Sequence, residues 1–113
     1  MTSSIGAWDP ALLTGAPPPS AVDDLAYLVA ERLQVPVWKL KSAGPGSAHI
    51  AFARQIVMYL AREVLKLSWH EIGDALQRNH STVIHGCNLI KARMEARPEF
   101  RARIETLTLR AEV

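Results

Sequence analysis

The sequence predicts an all-α domain that contains a helix-turn-helix. Three observations carry that expectation. Apolar residues recur at three- and four-residue spacing through most of the chain after residue 19, helix-start signals stand at Ser20, Ser68 and Asn79, and no segment alternates like a half-buried strand. The 113 residues suit one domain with a single core, and 49% apolar with 21% charged residues is the balance of a folded chain.

Residues 1–19, with Gly6, Pro10, Gly15 and Pro17-Pro18-Pro19, show no period and read as a flexible tail. Residues 20–111 read as the folded domain. Ser20 offers an N-cap with Asp23 three residues on, and Val22, Leu25, Ala26, Val29 and Leu33 share one face of a first helix over about 20–34. Pro36 restarts the chain, Val37 to Leu40 suit one short helical turn, and Gly44-Pro45-Gly46 ends it. From Ala48 to about Leu67, Ile50, Ala53, Val57, Leu60 and Val64 form the apolar side of a long helix. Arg54, Gln55, Met58, Arg62 and Lys66 gather on another side, so this helix is expected to carry a basic stripe.

Ser68-Trp69-His70-Glu71 has the capping-box spacing, in which a serine hydroxyl accepts from the amide three residues on and that glutamate reaches back. The helix it starts runs through Ile72 and Leu76, with Gly73 and Ala75 small enough for a close neighbour. Gln77-Arg78-Asn79 makes a short turn, and Asn79 caps a helix whose Val83, Cys87, Ile90 and Met94 face inward while Ser81, His85 and Asn88 face out. Arg97-Pro98 ends that helix and opens a last one to about Ala111.

Two short helices joined by about three residues, the second opening on Asn79-His80-Ser81-Thr82, fit a helix-turn-helix whose second helix enters the DNA major groove. Thr82 can hydrogen-bond a base edge and present its methyl group to thymine, and His80 and Ser81 can bond bases or phosphates. The free amides of that first helical turn favour a phosphate. The formal charge of +2 is unevenly spread: residues 1–47 hold three Lys/Arg against four Asp/Glu, and residues 48–113 hold ten against seven.

Other chemistries fare poorly. Ser81 with His85, or His70 with Glu71, would be the catalytic pairs, and neither brings a third group or an oxyanion donor, so no enzyme is expected. His80, His85 and Cys87 are the one metal-like cluster, and His85 and Cys87 point to nearly opposite sides of a helix. Gly44-Pro45-Gly46-Ser47 lacks the lysine of a phosphate-binding loop, so no cofactor and no small-molecule substrate is expected. The single cysteine rules out an internal disulfide. No run of about 18 apolar residues and no secretory signal is present, which points to the cytoplasm and away from membranes.

The segment from Ala53 to Glu63, then Leu67-Ser68 and Glu71-Ile72-Gly73, then His80-Ser81-Thr82-Val83-Ile84-His85-Gly86-Cys87, resembles the C-terminal DNA-binding domain (domain IV) of the bacterial chromosomal replication initiator DnaA. The likeness covers about residues 20–110. It implies a six-helix, Trp-repressor-like domain that binds duplex DNA at origin-type sites in replication initiation or its regulation, associated with the nucleoid. By position, His80, Ser81 and Thr82 would contact bases and phosphates. Arg54, Gln55, Arg62, Trp69 and His70 would lie at or near the backbone, with Lys66, Arg78, Asn79 and His85 completing the expected interface.

The chain departs from the family at three places. Phe52-Ala53-Arg54-Gln55 stands where Arg-Pro-Arg-Gln is usual, removing an arginine that in the family reaches the minor groove. The loop before it, commonly basic, is Ala43-Gly44-Pro45-Gly46-Ser47-Ala48-His49. The motif turn is one residue shorter than the usual Gly-Gly-Arg-Asp. The family's ATPase module is absent, so the chain reads as an excised domain or a small stand-alone relative, the latter favoured by Met1 and the tail. The rival expectation is a protein-interaction or regulatory domain with weakened DNA binding that recruits a replication or transcription partner, with Trp8 as a candidate docking side chain.

Overall fold

The computed structural model describes residues 20–42, 44 and 46–112. The expected tail, Trp8 within it, and the capping side chain of Ser20 lie outside the described residues. The described residues form six helices: α1 (Ser20–Leu33), α2 (Val37–Lys41), α3 (Ala48–Glu63), α4 (Trp69–Leu76), α5 (His80–Ala96) and α6 (Pro98–Glu112). No strand occurs among them.

α3 is the central element, packing on α5 and α1 most extensively and also on α2 and α4. Its burial explains that position. Ile50, Ala53, Ile56, Val57, Met58, Leu60 and Ala61 are all buried, so apolar residues occupy far more of its circumference than a surface helix would show. Val22, Leu25, Ala26 and Val29 of α1 close one side of the core, and Val83, Cys87 and Ile90 of α5 close another. The burial expected of Val57, Leu60, Val83, Cys87 and Ile90 is as the spacing implied.

Helix ends follow the local chemistry. α1 stops where Gln34 takes a left-handed conformation (φ 58°) and the Val35 amide returns to Ala30 O at 3.0 Å, the 6→1 bond of a Schellman ending. Ser47 caps α3 by accepting from the Ile50 amide at 3.2 Å. α3 ends at Glu63, short of the expected Leu67, because Lys66 is left-handed (φ 60°) and the Leu67 amide bonds back to Ala61 O at 3.3 Å. Lys66 therefore lies in the α3–α4 connection and not on the face of α3.

Two further placements correct the expected basic stripe. Met58 is buried at 2% exposure, against α5. Arg54 is buried at 4% exposure, and its guanidinium donates to Leu40 O (2.9 Å) and Lys39 O (3.1 Å), satisfying carbonyls in the last turn of α2. Burial, with the charge of Arg78 second, holds its pKa below the ordinary arginine value. Arg54 is thus a strut between α2 and α3, and the expected exposed phosphate contact does not fit its position.

Replacing Arg54 by leucine keeps an apolar stem in the core but removes the guanidinium bonds to α2, while Lys39 O keeps its bonds from Ser42. A loss of about 1–3 kcal/mol in urea unfolding is expected; unchanged stability would contradict the strut role.

Candidate nucleic-acid interface

The geometry of the motif begins at Ser68. Its hydroxyl accepts from the Glu71 amide at 3.1 Å while Glu71 Oε1 accepts from the Ser68 amide at 2.8 Å, so the expected capping box is complete and α4 starts at Trp69. The Ser68 amide first, and the nearby Ser68 hydroxyl second, hold the Glu71 carboxyl below its ordinary pKa of 4.5.

α4 ends after Leu76 because Gln77 is left-handed (φ 56°) and the Arg78 amide reaches Gly73 O at 2.7 Å, a second Schellman ending. This draws the turn against α4. A Cβ at Gly73 would lie 2.4 Å from Arg78 O, so only glycine permits the approach. The Arg78 guanidinium donates to Leu76 O and Gln77 O within the turn, and to Ser42 O and Gly44 O, both at 2.8 Å, in the α2–α3 loop. Arg78 therefore braces the turn against that loop and remains half-buried.

Asn79 caps α5, its Oδ1 accepting from the Ser81 amide and from the Ser81 hydroxyl, each at 3.0 Å. The Ser81 proton is thereby committed inside the chain, and the hydroxyl faces solvent as an acceptor. Thr82 and His85 are exposed, and their side chains make no hydrogen bond to a described residue. His80 is exposed and lies against His70, with ring centroids 4.2 Å apart, joining the first turns of the two motif helices. Arg62 donates to Leu67 O at 2.9 Å and lies 4.2 Å over the Trp69 ring, which fixes a half-buried cation beside the start of α4.

α5 reaches α3 at Gly86, where a Cβ would lie 2.7 Å from Met58 Sδ and 3.2 Å from Gln55 Cγ. This contact brings Gln55, Gln77, Arg78, Thr82 and His85 to one cleft of about 460 Å³ between α3, the turn and the first turns of α5. Trp69, His70, His80 and Ser81 border α4 and the start of α5, and Lys66 stands apart in the connection. Arg54 lines the same cleft, with its guanidinium engaged by the carbonyls of α2. The bracing by Arg78 was missed, since only the folded loop places Ser42 and Gly44 beside it.

Within α5, Cys87 is buried and His85 is exposed, so the two lie on different sides of the helix. Burial first raises the Cys87 thiol to about 11, leaving it protonated and inert at neutral pH. No described helix is long and apolar enough to cross a membrane.

A capped helix, a tight three-residue turn and a second helix with polar, outward first turns define a helix-turn-helix domain. The chain belongs to the family described as the bacterial DnaA protein helix-turn-helix, whose model matches residues 22–90. It is 44% identical over 62 residues, 54% of this chain, to the chromosomal replication initiator protein DnaA of Lachnoclostridium phytofermentans. It is 30% identical over 96 residues to that of Treponema pallidum and 34% identical over 87 residues to that of Geobacter sp. strain M21, alignments covering 84% and 76% of this chain. These matches span only 14%, 20% and 19% of the respective relatives. A solved structure entitled "crystal structure of DNA replication initiation factor" superposes with a TM-score of 0.75 at 27% identity, covering 83% of this chain and 29% of that one.

Two substitutions in the motif should move stability in opposite directions. Gly73→Ala forces the turn off α4 and is expected to cost about 1–3 kcal/mol despite alanine's better helix propensity. Gln77→Gly relieves a left-handed side chain and should be neutral or stabilising by up to about 1 kcal/mol. Denaturant midpoints of both variants check this, and a stabilised alanine variant would contradict the close approach.

The capping box should be visible in acid. Because Glu71 titrates lower folded than unfolded, its contribution is complete above about pH 4.5 and is lost as pH falls through the lower folded value. Glu71→Gln should flatten the stability profile in that window; an identical profile would exclude the carboxylate's role.

Proposed function

We propose that this domain binds duplex DNA sequence-specifically, with the first turns of α5 in the major groove, and acts in the initiation of chromosome replication or its control. The observation that carries this reading is the state of Thr82. Its hydroxyl and methyl group are exposed on a helix start that the Asn79 cap and the Gly73 contact hold rigidly, and no described residue uses them. Membership of the DnaA helix-turn-helix family and relatives named as chromosomal replication initiators support the same biology.

Roles divide by chemistry. Thr82 and His85 reach base edges; Ser81, its proton given to Asn79, accepts from an exposed base amino group. Trp69, His70, His80, Asn79 and Gln55 line the approach and orient the backbone. Arg62, Lys66 and Arg78 supply positive charge for phosphates, with Arg62 and Arg78 already ordered by their carbonyl bonds. Such contacts would hold the domain at chromosomal DNA in the cytoplasm.

The test is a binding titration against a duplex selected from a random pool and against its scrambled counterpart, at fixed salt. Thr82→Ala should cost about 1–3 kcal/mol on the selected duplex and much less on the scrambled one. Equal binding of both duplexes by parent and variant would overturn the reading. In the same assay Lys66→Gln should lower the salt slope by about 1 and weaken both duplexes alike. A changed sequence preference at constant slope would reassign Lys66 from phosphate to base.

A further inference from the structure

A second site lies at the far end of α5. α1, α3, α5 and α6 enclose an open groove of about 670 Å³ whose accessible apolar floor is formed by the half-buried Leu33, Phe52 and Phe100. Among the described residues that line it, the rim carries four arginines, Arg32, Arg93, Arg97 and Arg103, against a single carboxylate, Glu99. None of the four makes an ion pair among the described residues, where the ion pairs are Lys41 with Asp23 and Lys91 with Glu63. Four unpaired cations around a concave apolar surface ask for a ligand of opposite charge with an apolar part.

We propose that this groove docks an acidic peptide segment of a partner protein, bearing an aromatic or aliphatic anchor that fills the floor. Arg93 is prepared for it. Its guanidinium lies 4.8 Å from the Phe52 ring and 5.7 Å from the Phe100 ring, and the two rings are themselves 5.7 Å apart. Stacking fixes the plane of the cation before a carboxylate arrives, which lowers the cost of ordering it. The duplex is the other polyanion available, and the groove suits it poorly. Arg93 stands thirteen residues beyond His80, about 20 Å along the helix at 1.5 Å per residue, and a phosphate backbone offers nothing to cover Leu33, Phe52 and Phe100. Peptide recognition of this kind pairs apolar anchors in a groove with charge at the rim.

The probe is a synthetic dodecapeptide of Asp and Glu carrying Phe and Leu one helical turn apart, titrated into the whole chain while backbone amide NMR shifts are followed. The expected shifts centre on Arg32, Phe52, Arg93, Phe100 and Arg103 and spare residues 80–82. Replacing Phe and Leu of the peptide by serine should weaken binding about tenfold, and so should the double variant Arg97→Gln with Arg103→Gln, at unchanged helicity. The double variant should keep the parent's salt slope on duplex DNA. Shifts centred on residues 80–82, or equal binding of the serine peptide, would overturn the proposal. A duplex salt slope reduced by about two in the double variant would overturn it as well, by assigning the groove to DNA.

Discussion

The surface that α5 presents depends on how closely the turn backbone lies against α4. Arg78 O occupies the volume that any side chain at Gly73 would need. Because Gln77 turns left-handed immediately before it, the chain reverses in three residues and the start of α5 is fixed relative to the end of α4. A hinge with a side chain at Gly73 would have to open by about half an ångström to an ångström, and every polar group from His80 to His85 would move with it. The second glycine, Gly86, performs the matching task against α3, where Met58 and Gln55 occupy the space a Cβ would take. Two absent side chains therefore set the position of the outward face of α5.

Around this frame the cations divide into two kinds. Arg54 and Arg78 spend their guanidinium groups on backbone carbonyls of α2 and of the loop after it, so the loop that departs from the family's basic pattern is held by arginines from outside it. Their mutual repulsion contributes, after burial, to lowering the Arg54 pKa, and the carbonyl dipoles they bind offset it. Arg32, Arg93, Arg97 and Arg103 instead remain exposed around an apolar groove remote from the motif. Some arginines are thus spent on the fold and others stay exposed, and net charge alone does not distinguish the two.

Much of this was legible before folding. The capping box at Ser68, the Asn79 cap and the inward set Val83, Cys87 and Ile90 follow from local spacing, because such bonds and faces are decided within four or five residues. Arg54 misled, although its sequence neighbours held the correction. Ile50 and Met58, one helical turn on either side, are both buried, so a charge between them needed internal acceptors, and charge alone suggested an exposed stripe. Lys66 misled for a different reason. The apolar period continues through Val64 and Leu67, but a left-handed residue between them carries the chain out of the helix while both stay against the core. The bonds from Arg78 to Ser42 and Gly44 span more than thirty positions and leave no local signal. Nor did the groove around Arg93, assembled from four helices.

Selection of bound duplexes from a random pool, carried out with the intact chain at two salt concentrations, tests the central claim most directly. A domain that reads bases through the first turns of α5 should enrich one short motif at both salts, while total retention falls steeply at the higher salt. Retention without any enriched sequence at either concentration would contradict that account and leave only a charged helical surface.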